Sequence, residues 1–160
     1  MSPLSNIRTC AIAFVIATAS IGAAAAEAVL EIKHPWSRAS TGLSRPGVAY
    51  LEISNSGTSA VELVGVKTSL AGMTMLHKTE TDANGVARMS HADDIVIEPG
   101  ATVVLEPGGL HVMLMNLKDN LIEGENYPAT LVFSDGQEIS VDVSVLGVGA
   151  TGPDTYKHSH

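Results

Sequence analysis

The chain has 160 residues, with nine Lys and Arg against seventeen Asp and Glu, six His and one Cys, for a net charge of −8. That acidic balance excludes the basic footprint on which nucleic-acid binding depends. A lone cysteine leaves no disulfide within the chain, so a folded domain here must be held by its core.

The first element is an export signal. Arg8 precedes an apolar run from Ala11 through Ile21 to Ala26 that contains no charged residue. Ala24 and Ala26 fit a small-x-small cleavage site, which predicts a signal peptide over residues 1–26 and Glu27 as the first mature residue. A cut after Ala28 is the second possibility. The run is alanine-rich and short for a stable membrane span. Cys10 precedes it, which argues against a lipid anchor there. Cleavage removes Cys10 and Arg8 and leaves eight Lys and Arg against seventeen Asp and Glu, a net charge of −9. The remaining chain, about 130 residues, suits one domain. No second apolar run is long enough to cross a bilayer, so no membrane span is expected in the mature chain.

From Val29 onward, short β-branched runs alternate with turn residues. Strands are predicted at Val29–Ile32, Ala49–Ser54 and Val61–Val66. A hairpin follows from Met75–Glu80 to Val86–His91, with Asn84-Gly85 as a two-residue turn. Ile95–Ile97, Thr102–Leu105 and Leu110–Leu117 are separated by Pro99-Gly100 and by Pro107-Gly108-Gly109. Asp135-Gly136 joins Ala129–Ser134 to Glu138–Val145, a second type I′ candidate. No helical period persists. The pattern predicts a closed antiparallel sandwich or barrel over residues 27–147, with a flexible, histidine-containing tail over 148–160.

The chemistry lies in the placement of Met and His. A single Met is ordinary core filler. Here all five methionines after the signal, Met73, Met75, Met89, Met113 and Met115, lie within a few residues of a histidine. Residues two apart on a strand share a face. His111 and Met113 therefore project together, while Val112 and Leu114 point to the other side, the natural core side. His77 shares parity with Met73 and Met75, and His91 shares parity with Met89. Thioether is soft and neutral and selects Cu(I), and imidazole also suits copper. Zinc favours Cys, His and carboxylate, and no acidic cluster suited to Mg or Ca sits in these strands. Thioethers can hold Cu(I) in an oxidising compartment where paired thiols become disulfides.

The spacing resembles that of the periplasmic copper chaperones called PCuAC. Their motif runs His, an optional Met, ten residues, Met, twenty-one residues, then His-x-Met. His77 takes the first position, Lys78 the optional Met slot, Met89 the next ligand position, and His111-Val112-Met113 the last. The flanks also match: Trp36-Ser37-Arg38, Ala49-Tyr50-Leu51, Leu76-His77 and Pro107 through Met115, so that the resemblance spans about Val29 to Val145. It implies a single all-β, cupredoxin-like domain in the periplasm. It implies a carrier rather than an enzyme, with His77, Met89, His111 and Met113 holding one Cu(I). It further implies delivery to a protein acceptor such as a cytochrome c oxidase subunit or a Sco-type protein. Lys78 removes one possible thioether and, protonated, is a poor ligand.

Other residues are expected to matter less. His91 reads as solvated or as a neighbour of the ligands, Met115 as a continuation of the ligand face, and Trp36 as a core or rim anchor. His158 and His160 form a His-x-His tail that could capture Cu(II). A blue electron-transfer site needs a Cys thiolate, which the mature chain lacks. Copper held by an N-terminal His would require a cut after Lys33, which is not a cleavage position. No G-x-S-x-G elbow supports a serine hydrolase. The alternative to the copper carrier is an exported β-sandwich interaction domain that binds no metal.

Overall fold

The structure is a computed structural model and describes residues 28–153. The expected signal peptide and the His158/His160 tail lie outside the described residues. Ten strands follow one another: β1 (Leu30–Arg38), β2 (Gly47–Asn55), β3 (Val61–Lys67), β4 (Ala71–Thr81), β5 (Ala87–His91), β6 (Ile95–Ile97), β7 (Thr102–Leu105), β8 (Leu110–Leu117), β9 (Asn126–Phe133) and β10 (Glu138–Leu146). No helix occurs among the described residues. Every strand but β5 carries Val, Ile, Leu or Thr, which suit a pleated, half-buried surface.

The all-β, cupredoxin-like expectation holds, with two refinements. The strands form one hydrogen-bonded series, β5-β4-β8-β7-β2-β1-β10-β9-β3-β6, with β8 also pairing β2. It folds over on itself as a sandwich without closing, so β5 and β6 are free edges rather than barrel neighbours. Most pairings are antiparallel, but β1 runs parallel to β10 and Leu105 of β7 makes a short parallel bridge to Leu110 of β8. Where β4 and β3 face each other, the Thr74 hydroxyl donates to the Val66 carbonyl.

Alternate residues fill the interior. Ile53, Leu63, Ile97, Leu105, Val112, Leu114, Leu131 and Phe133 are almost wholly buried. In β8 the buried Val112 and Leu114 face Leu76 and Thr74 of β4, so the side predicted as core is the core. Trp36 is likewise buried. Its ring lies 4.5 Å from that of Tyr50, and the Arg38 guanidinium sits 5.9 Å from the Tyr50 ring. Arg38 also donates to the Ala150 carbonyl at 2.7 Å, which holds the segment after β10 against β1.

Neither predicted two-residue turn is type I′. Type I′ needs positive φ at both central residues, and Asn84 and Asp135 are not among the positive-φ residues, whereas Gly85 (φ 80°) and Gly136 (φ 88°) are. Each loop is one residue longer than expected, with the glycine as the left-handed bulge residue. In the first loop the Asp82 carboxylate accepts the Asn84 and Val86 amides at 2.9 and 3.0 Å. In the second, Asp135 accepts the Gln137 amide at 2.9 Å. These side chains offer the backbone a local alternative to the tighter turn.

Candidate metal centre

The bulge at Gly85 decides which residues meet. A two-residue turn on Asn84-Gly85 would pair His77 with Ala92 and Glu80 with Met89, turning Met89 away from the face of His77. The observed register pairs His77 with His91 and Thr79 with Met89. A shift of one residue moves a strand's side chains to the opposite face. The extra loop residue thus places both Met89 and His91 on the His77 side.

On the other flank of β4, His77 lies opposite His111, Met75 opposite Met113 and Met73 opposite Met115. Three imidazoles therefore stand in one row across β5, β4 and β8. The ring of His77 lies 5.8 Å from that of His91 at 85° and 5.9 Å from that of His111 at 73°. Met113 shares the His111 face, one row along. Met89 lies one row beyond His91 towards the hairpin loop.

Exposure grades across the row. His111 is 4% exposed and Met89 55%, with His77 and Met113 between them. His111 Nδ1 lies 3.0 Å from the Gly109 carbonyl. A carbonyl only accepts, so Nδ1 carries the proton and Nε2 keeps the lone pair, as in metal-bound histidines whose other nitrogen is hydrogen-bonded. The Pro107-Gly108 turn supplies that carbonyl. Gly108 has φ 86° and the Gly109 amide donates to Glu106 at 3.0 Å, as in a type II turn with Pro at its second position.

His111 Nε2 and His77 Nδ1 are both buried without a hydrogen-bond partner. A buried polar atom left unpaired costs about 1–3 kcal/mol, so two of them facing one strand pair need a ligand or a reason. Burial, then the neighbouring His111 and His91, holds the His77 imidazole below its ordinary 6.5. The ring is thereby kept neutral, the form that donates a lone pair. Among the described residues no group of three or more His, Cys, Asp or Glu is arranged to hold a metal. Lys78 turns away to pair with Glu80 at 2.6 Å.

All four predicted ligands thus lie on one face of β5-β4-β8. His91, read from the sequence as solvated or as a neighbour of the ligands, packs edge-on to His77 and also lies 3.5 Å from Asp93. Its signal was the shared parity with Met89, legible once the hairpin register is known.

Residues 30–145 match the family described as "Putative lipoprotein LpqE-like". The chain belongs to this LpqE-like family. "Putative lipoprotein Lxx21020" of Leifsonia xyli subsp. xyli is 40% identical over 98 residues, covering 61% of the LpqE-like chain and 58% of the relative. The chain thus spans little more than half the length of that relative. Among solved structures, the copper-bound PCuAC domain from PmoF2 is similar with a TM-score of 0.64 and 28% identity, over 74% of this chain and 92% of that one. The solution structure of CuI-DR1885 from Deinococcus radiodurans gives a TM-score of 0.57 and 31% identity, over 78% of this chain and 83% of that one. The PCuAC resemblance carried by the motif is therefore borne out for this LpqE-like protein. No helix among the described residues is long and apolar enough to cross a membrane.

Proposed function

We propose that this LpqE-like protein is an exported, periplasmic copper(I) chaperone. His77, Met89, His111 and Met113 bind one Cu(I), and the protein passes it to an acceptor that assembles the copper sites of cytochrome c oxidase, a subunit of that enzyme or a Sco-type thiol protein. Copper is cargo here, not a cofactor, and the protein catalyses no reaction. The carrying observation is the cross-strand pair His77–His111, with Met113 on the same face and one buried, unpartnered nitrogen in each ring. The copper-bound neighbours support the choice of metal, and the lipoprotein name of the relative supports export.

The donor set explains transfer chemically. Two neutral imidazoles and two neutral thioethers suit a soft monovalent cation but neutralise none of its charge. A thiolate-rich acceptor therefore competes well, entering from the exposed Met89 side while His111 still holds the ion. His158 and His160 are proposed to take Cu(II) in a separate capture step.

Anaerobic Cu(I) titration against a chromophoric competitor tests the assignment, with the His111→Asn/Met113→Leu variant alongside. Asn keeps an N–H donor for the Gly109 carbonyl and Leu keeps the volume. The wild type is expected to take one tight equivalent that the folded variant does not; equal competition by both proteins would sink the assignment.

A further inference from the structure

Three methionines stand outside the proposed donor set, and the register gathers them. Met73 opposes Met115, and Met75 opposes Met113, on the face where His77 opposes His111. Read along β4 and β8, that face presents a thioether pair, a second thioether pair, then the imidazole pair. Opposed Cβ atoms lie about 4.5–5.5 Å apart and diagonal ones about 7–8 Å. Three freely rotating bonds let each methionine sulfur swing into the space between.

The buried interior does not include these side chains. The interior beneath β4 and β8 is filled from the other face by Leu76, Val112 and Leu114, and no methionine belongs to the buried core. Met73 is 50% exposed, and Met75 and Met115 are half-buried. Exposure at Met73 forfeits part of the burial that normally stabilises methionine.

We propose that Met73, Met75 and Met115 form a second metal position, built of thioethers alone, for a soft monovalent cation, Cu(I) or Ag(I). It adjoins the His/Met centre through the Met75–Met113 pair, so an ion can move between the two by exchanging one thioether at a time. This position does not depend on the imidazoles and goes beyond the chaperone reading. With no imidazole among its donors it binds more weakly than the His/Met centre, and it fills after it.

The test is Ag(I) titration of the protein carrying ¹³C-methyl methionine, followed by NMR of the methionine methyl and histidine ring signals. Wild type is expected to shift Met89, Met113, His77 and His111 first, then Met73, Met75 and Met115. In Met73→Leu/Met115→Leu, which keeps side-chain volume, the Met75 response should need at least tenfold more Ag(I), while the Met113 response is unchanged. Met73 and Met115 methyls that stay fixed in excess Ag(I), or a Met75 response equal in both proteins, overturn the proposal. Moving Met73 and Met115 signals beside silent histidine rings would overturn the His/Met assignment and leave this one standing.

Discussion

Strand β8 offers a test in which adjacent residues answer different questions. Leu114 is 1% exposed and points into the core, whereas Met113 points to the face of His77 and His111. Leu114 is tightly packed: a Cβ added at Gly47, its partner on β2, would lie 3.3 Å from both its Cβ and Cδ1. A site so enclosed collapses poorly when truncated, so Leu114→Ala should cost about 2–5 kcal/mol. At roughly 2 cal/mol/K of unfolding entropy per residue over about 120 residues, 3 kcal/mol lowers Tm by about 12 °C. Met113→Leu conserves volume and should cost less than about 1.5 kcal/mol. The copper readout should invert. Below its lowered Tm, Leu114→Ala keeps the Cu(I) affinity of the wild type, while Met113→Leu loses at least about tenfold, or 1.4 kcal/mol. Thermal denaturation followed by circular dichroism, paired with competitive Cu(I) titration, reads both quantities. Equal Tm losses in the two variants would refute the assignment of faces, and equal copper affinities would refute the role of Met113.

Two further outcomes follow from buried titratable groups. His77 is held below its ordinary 6.5, so the unfolded chain binds that proton more readily; the folded apo-protein carries no penalty above pH 6.5 and a growing one as pH falls through that value. Its Tm should fall across that window and His77→Gln should flatten the fall, whereas an identical acid limb in the variant would clear His77 of responsibility. Burial pushes the Tyr127 phenol up to about 12, with the Ser37 side chain drawing it slightly the other way, although neither hydroxyl meets hydrogen-bond geometry. Stability should therefore drop as pH rises from about 10 towards 12. Tyr127→Phe should remove that alkaline limb at a neutral-pH cost under about 1 kcal/mol; a larger loss at neutral pH would mean that the hydroxyl is bonded after all.

Strand positions were legible because β-branched alternation and Gly or Pro turns are local signals. The His111/Met113 face could be read from parity alone, since Val112 and Leu114 could only be core. The hairpin register could not. Asn84-Gly85 signals a turn, but whether it closes in two residues or with a bulge depends on the Asp82 carboxylate capturing two amides, and that choice moves Met89 from one face to the other. The contact of His91 with His77 was illegible for the same reason, because it exists only in the bulged register. The parallel β1–β10 pairing involves residues more than a hundred positions apart, and no short-range pattern encodes it.

The ten-strand series ends at β5, all five of whose residues are exposed. An outermost strand with one hydrogen-bonded neighbour and no buried side chain frays at far lower free energy than the core beside it. The proposed donors are thus mounted on supports of unequal strength, with Met89 on an edge strand that buries no side chain and His111 anchored in an interior one. Peeling β5 from β4 would withdraw a ligand while leaving the other three and the hydrophobic interior undisturbed. Release then needs only local unzipping of one hairpin arm. Amide hydrogen exchange would record that opening as brief protection in β5 beside long protection in β8.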